Sequence, residues 1–445
     1  MGTAKALDKD KLNEFIRQTG STVTAGFNCV ISVLGDRLGL FQKLSQVGPA
    51  TSQELADSLG LSERWVREWL HHQACVNQVE YDETTQRFSL GPEAEAVLVD
   101  EDHPAYLMGA YHSALSVFPA AEKLEEAFRT GLGMTYDDHG ANCACGMEKM
   151  GAFTKKHRLV QEILPLIPEL VGKLEKGIKV ADVGCGGALS TVVMAQAFPS
   201  STFVGYDTSE HALTLAEKNI EEAGVKNVSV MNPLNDPLPK EPSIDFVTTF
   251  DVVHDTPYPK QMIQDVYAAL LPGGQWLCED IRGMNTFAEN LREHPMAAML
   301  YGFSLTICMS SGLSTSDGAG LGTLGFTEKL AEEMTQDRRF RFMSATGDTS
   351  RDQAYEANLA MVFLAAMQSR SVSQADDRGE RRQRRRFNTG RRRFRRGRRR
   401  ARRRAGRRAS YDYELDALHK IAMKKNDAKS AAQKRRERIR KENMR

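Results

Sequence analysis

Between residues 178 and 282 the chain repeats one pattern, a short apolar run followed by a helical one. The runs are IKVADVG, STFVGYD, NVSVMN, IDFVTTFDVV and GQWLCED. Strands separated by helices do not pair as hairpins. They form βαβ units and a parallel sheet. In such a sheet the ligand crevice lies at the carboxyl ends of the strands, so the residues that end these runs are the first candidates for chemistry.

The first run ends in Asp182-Val183-Gly184-Cys185-Gly186-Gly187-Ala188 and opens a helix over 189–198. Gly184 and Gly186 allow a tight turn and a close backbone approach to a ligand. The second run ends in Asp207, 25 residues after Asp182. A carboxylate there can grip both hydroxyls of a ribose. These features resemble the class I S-adenosylmethionine-dependent methyltransferases, whose first motif is an acid then Gly-x-Gly and whose second is the acid after strand two. Leu271-Pro272-Gly273-Gly274 matches the turn before their fifth strand, and Ala188 stands where a third glycine is usual. A nicotinamide dehydrogenase is the rival for Gly-x-Gly alone, and the distal acid with the LPGG turn argues against it.

The resemblance implies a fold class and a cofactor. The fold is α/β, with a Rossmann-like class I methyltransferase domain over 176–367, a helical connector over 101–175 and a winged-helix domain over 10–100. The cofactor is S-adenosylmethionine, held by Asp182, Gly184, Gly186, Asp207, Asn232 and Asp251. Asn232 replaces the acid that commonly meets the adenine amino group, and its side-chain oxygen can accept the same hydrogen bond.

The fourth run ends in His254-Asp255. A phenol is mostly protonated at neutral pH, and an imidazole near ~6.5 suits its deprotonation. The bland alternative is a strand-end histidine that satisfies a backbone partner. The resemblance extends to winged-helix small-molecule O-methyltransferases, which implies that His254 is a general base and that an acid ending strand five orients it. Glu279 and Asp280 both fit that place. Thr256 replaces the Trp that often follows the His-Asp pair. The chain is also similar to a bacterial-type group with Phe250-Asp251-x-x-His254-Asp255 and Gly320-Leu321-Gly322, in which Tyr136 matches a tyrosine near the cofactor mouth. The implied acceptor is a small phenolic or polyketide-like molecule. The helical insertion 283–325, with Met296, Met299, Phe303, Leu305 and Met309, reads as a substrate lid. His139, Cys143 and Cys145 share one loop, but three ligands without a second pair fall short of a metal site, and none is expected.

Residues 10–100 read helix, turn, helix and β-hairpin. Ser62 is placed to cap SERWVREWLHH, which carries Arg64 and Arg67 against Glu63 and Glu68. A DNA-reading helix is basic, so this neutral one, with a stripe of Trp65, Val66, Trp69 and Leu70 wanting burial, points to a homodimer instead.

Charge divides the chain. Residues 1–370 hold 30 Lys and Arg against 49 Asp and Glu, a net −19, whereas 371–445 hold 30 against 9, a net +21. Arginine fills 19 of the 31 positions from 378 to 408. A segment so charged and so poor in apolar residues is expected to be a disordered basic tail over 368–445, able to hold RNA or another polyanion through 378–445. Two further functions follow as alternatives, an RNA- or ribonucleoprotein-directed methyltransferase recruited by the tail and a cofactor-binding regulator without turnover. With no secretory leader and seven scattered cysteines, an intracellular, cytoplasmic protein is expected, with a nuclear address open to the arginine run, and no membrane partner.

Overall fold

The computed structural model describes residues 7–335, 340–344 and 360–367. The basic tail over 368–445 lies outside the described residues.

The first helix, α1 (Lys9–Arg37), starts at Asp8, whose carboxylate accepts from the backbone N–H groups of Asp10 and Lys11. It breaks at Gly39, which lets α2 (Leu40–Val47) turn away. Thr51 and Glu54 form a capping box on α3 (Ser52–Leu59). In contrast, Ser62 makes no side-chain cap on α4 (Glu63–Cys75). The hairpin β1 (Glu80–Asp82) and β2 (Arg87–Ser89) follows, then α5 (Pro92–Leu98). Phe41, Leu44, Leu55, Val66, Trp69 and Phe88 fill the core of this domain. The expected four-residue stripe is corrected at Trp65, which is 80% exposed. At 3.6 residues per turn, Val66, Trp69 and Leu70 share one face and Trp65 lies beside it.

Two long connector helices come next, α6 (Met108–Thr130) and α7 (Gly140–Phe153). Their axes approach closely because Gly109 meets Gly146. A Cβ on Gly109 would lie 2.6 Å from the Gly146 carbonyl oxygen. A π-helical stretch, Thr154–Ile163, extends α7, and α8 (Leu170–Lys176) leads into the sheet.

The main sheet takes β3 (Lys179–Val183), β4 (Thr202–Tyr206), β5 (Val228–Met231), β6 (Ile244–Phe250), β7 (Leu270–Ile281), β8 (Phe340–Ser344) and β9 (Ala360–Met367), in spatial order β5-β4-β3-β6-β7-β9-β8. The first five are parallel, and β9 runs antiparallel to β7. The intervening helices are α9 (Leu189–Ala197), α10 (Glu210–Ala223) and α11 (Pro259–Ala269). Because side chains alternate across a strand, Val180, Phe203 and Phe246 pack with Leu174 and Met194 on one face. Ala181 and Val247 pack with Ile263 and Val266 on the other. The LPGG turn lies within β7. Ile244 faces Leu270 but Phe246 faces Gln275, so the turn is absorbed as a bulge.

After β7 the insertion forms α12 (Phe287–Glu293), α13 (Ala297–Phe303), a π-helical turn over Ser304–Cys308 and α14 (Met309–Gly312), before α15 (Glu328–Thr335). Leu300, Phe303 and Ile307 pack with Cys143 and Met147 of α7, so the insertion lies against the connector. Among the described residues no helix is long and apolar enough to cross a membrane.

Candidate active site

The order of strands reverses between β3 and β6, which is where a parallel sheet opens its crevice. Each side of that opening carries one half of the site.

On the β3–β4 side, Gly184 and Gly186 both have positive φ, 74° and 56°. A Cβ on Gly184 would stand 2.1 Å from Val252 Cγ2, so only glycine lets the loop lie against the end of β6. Nothing lies within 4 Å of where a Gly186 Cβ would be, so that backbone faces open space. Ala188 takes the same left-handed conformation at φ 59° despite its side chain. Asp207 accepts from the Gly186 N–H and the Ser209 N–H, both at 2.9 Å. Its carboxylate remains partly open, with lone pairs to offer a diol. Enclosure raises its pKa, and the backbone hydrogen bonds only partly offset that. A carboxylate beside an open glycine backbone fits a nucleoside bearing vicinal hydroxyls.

Two of the expected cofactor contacts sit differently. Asp182 is fully buried, and its carboxylate accepts from the Ser190, Thr191 and Thr248 hydroxyls at 2.7, 2.6 and 2.8 Å. The expectation of direct contact is corrected, because Asp182 instead ties β3 to β6 and to the start of α9. Asn232 is half-buried after β5. It donates to Glu210 at 2.6 Å, and its oxygen accepts from the Leu234 N–H at 3.0 Å.

On the β6–β7 side, His254 is 3% exposed, and its Nδ1 lies 2.5 Å from Asp280 Oδ1. Asp280 also accepts from the Ile281 N–H at 2.8 Å. Glu279 points elsewhere, with Lys155 Nζ 3.7 Å away. Neighbouring residues of a strand face opposite ways, so only one acid can meet the histidine, and it is Asp280. Burial alone would lower the His254 pKa. The Asp280 carboxylate, with a hydrogen bond to Cys308, outweighs burial and raises it well above the ordinary imidazole value.

Asp251 also has positive φ, at 56°. Its N–H donates to the Glu279 carbonyl at 2.9 Å. Enclosure, then the Glu279 carboxylate, raises that carboxyl to about 7. Burial likewise raises Asp255 to about 7.

Sequence reasoning missed several neighbours. Lys155 stacks over the Phe250 ring at 3.5 Å and balances part of the acidic cluster. It comes from the first π-helical stretch, and Cys308 comes from the second. Such widened turns often lie at functional sites. Tyr136 is half-buried, and enclosure raises its pKa well above the usual phenol value, with Cys143 and Asp255 contributing. Its loop is tied down by Asp137, which accepts from the Ser209 hydroxyl at 2.8 Å. His139 lies 3.3 Å from the Ser311 hydroxyl, and it does not gather with Cys143 and Cys145 into a ligand set. Of these, Tyr136 and His139 were already marked in the sequence, whereas Lys155 and Cys308 carried no signal there.

Known proteins place the two parts of the chain. Residues 174–337 match the methyltransferase domain family, and 25–100 match the Rv2258c-like winged HTH domain. A demethylmenaquinone methyltransferase of Listeria welshimeri is 33% identical over 111 residues, covering 24% of this chain and 47% of that protein. A ubiquinone biosynthesis O-methyltransferase of Leptothrix cholodnii is 32% identical over 124 residues, covering 27% and 52%. The chain thus spans about half the length of the curated relatives it matches. Among solved structures, human N-acetylserotonin methyltransferase, in complex with S-adenosylmethionine, superposes with a TM-score of 0.56 at 13% identity. That match covers 82% of this chain and all of that one. An O-methyltransferase family protein from Burkholderia thailandensis gives 0.53 at 15%, with 82% and 100% covered. At such identities these structures speak for the fold. Residues 174–337 thus carry a methyltransferase domain, with the strand order, glycine loop and distal carboxylate described above, and residues 25–100 carry an Rv2258c-like winged HTH domain ahead of it.

Proposed function

We propose that this protein transfers a methyl group from S-adenosylmethionine to a hydroxyl of a small phenolic or polyketide-like acceptor. The observation that carries this is the buried His254–Asp280 pair at 2.5 Å, at the end of the strand beside the glycine loop. S-adenosylmethionine supplies an electrophilic methyl on a sulfonium. Asp207 binds its ribose hydroxyls, the Gly184–Gly186 backbone lines it, and Asn232 lies toward its adenine side. His254 Nε2 takes the acceptor's proton as the new O–C bond forms. Asp280 holds Nδ1–H, fixes the tautomer and stabilises the imidazolium. The insertion and α7 exclude water over the acceptor. Tritiated S-adenosylmethionine with a panel of phenols and hydroxyquinones tests the reading. Label in product identifies the acceptor, and binding without turnover on any of them would leave a regulator.

Two partners belong to this reading. The first is a second copy, because Phe15, Ile16, Val23 and Phe27 of α1 are all exposed. A stripe of that kind on one helix suits a dimer, and light scattering tests it. The second is a polyanion on residues 378–445, whose removal should abolish salt-sensitive RNA retention.

A further inference from the structure

The proposed base has a second set of neighbours. His254, Asp255 and Cys308 each offer one ligand atom, and the three atoms lie within 4.8 Å of one another. All three residues are buried. We infer that His254 Nε2, Cys308 Sγ and an Asp255 carboxylate oxygen form a site for a thiophilic divalent cation such as Zn²⁺, with a water in the fourth position.

The orientation of the ring is the main argument. His254 Nδ1 is held by Asp280, so Nε2 is the nitrogen that turns toward Cys308 and Asp255. A carboxylate behind a histidine is the usual support of a zinc ligand, because it fixes the tautomer and raises the basicity of the far nitrogen. The donor set, one nitrogen, one sulfur and one oxygen, suits zinc and also cobalt(II). Bond lengths near 2.0–2.3 Å give ligand separations of about 3.5 Å, so small side-chain rotations close the set. The surroundings favour a cation, since the Asp280 carboxylate lies directly behind the ring. Coordination displaces the protons of Cys308 and of Nε2 to solvent, and the metal takes both lone pairs. The histidine is then unable to accept a proton from any substrate.

Metal binding rests on this geometry alone, while its effect on turnover rests on the proposed role of His254. The full-length protein, reduced and freed of metal with a chelator, is titrated with Co²⁺. The expected result is one equivalent giving a thiolate-to-cobalt charge-transfer absorption that Zn²⁺ displaces. Cys308→Ser should abolish the absorption, and His254→Gln should weaken Co²⁺ binding at least tenfold. Cys75→Ser with Cys145→Ser should retain it, because those cysteines lie outside the trio. If Cys308→Ser loses its native circular dichroism, Asp255→Asn serves in its place and should weaken binding. No absorption in the wild type, or full absorption in Cys308→Ser, overturns the site. Zn²⁺ should also inhibit methylation competitively with the acceptor while calorimetric S-adenosylmethionine binding stays unchanged. Metal binding without inhibition would retain the site and refute His254 as the base.

Discussion

The two sides of the crevice are built in opposite ways. The β3–β4 side consists of backbone turns and one partly open carboxylate, with its acid Asp182 hydrogen-bonded to three buried hydroxyls. The β6–β7 side packs Asp251, His254, Asp255, Glu279 and Asp280 into one region with Lys155. The first side is suited to recognise a fixed shape. The second gathers titratable groups close together, where their charges act on one another and raise the pKa values of Asp251, His254 and Asp255. Binding and proton transfer are thus separated across β3 and β6.

Substituting the base should break the comparison most visibly. His254→Gln should lower turnover by ~10²–10⁴-fold, the usual range for a general base, with S-adenosylmethionine affinity little changed. Wild-type rates should rise with pH through a midpoint above the ordinary ~6.5 of histidine, and the variant should lose that rise. Steady-state kinetics across pH, with calorimetry for the cofactor, checks both. Normal turnover in the variant would make His254 a structural strand-end residue.

On the other side, Asp207→Ala should leave the pH midpoint in place and weaken cofactor binding. Two charge-assisted hydrogen bonds of about 1.5–3 kcal/mol each, partly replaced by water, correspond to about a 100-fold loss. Equal calorimetric affinity would remove Asp207 from the site.

The two acids of β7 offer a finer test. Asp280→Asn removes the charge that raises His254, so turnover should fall on the order of tenfold, and the pH midpoint should move down toward ~6.5. Glu279→Gln should leave the midpoint where it is. Equal shifts in both would mean that the field of the cluster, not the 2.5 Å contact, sets the base.

The same cluster should appear in stability. A raised histidine stabilises the fold fully below its unfolded value of ~6.5 and loses that contribution as pH rises through the folded value. Asp251 and Asp255, raised to about 7, keep protons that the unfolded chain releases near ~3.9, so they also remove stability as pH climbs from ~4 to 7. Melting temperature should therefore decline from mildly acidic to alkaline pH, and the decline should be shallower in His254→Gln. The smallest effect belongs to the glycine loop. Ala188→Gly relieves a left-handed alanine but adds freedom to the unfolded chain, so stability should rise by less than ~1 kcal/mol. Differential scanning calorimetry would detect it.

What was legible in the sequence follows from the range of the forces involved. The alternation of strand and helix, the Gly184–Gly186 turn and the place of Asp207 all depend on residues close in the chain, so spacing and residue type suffice to read them. Trp65 was misread because four residues of a helix face span more than one side. Asp182 was misread because its partners, Ser190, Thr191 and Thr248, declare themselves only once β3 and β6 pair. The choice of Asp280 over Glu279 depends on which face of β7 meets His254, and sequence cannot show that when both neighbours are acids. Lys155 and Cys308 reach the site from widened helical turns that carry no residue signature. The sequence by itself determined the strands, the turns and the kinds of chemistry available at their ends. Tertiary packing decided which groups meet there, because contacts between residues far apart in the chain arise only when the sheet and the connector close together.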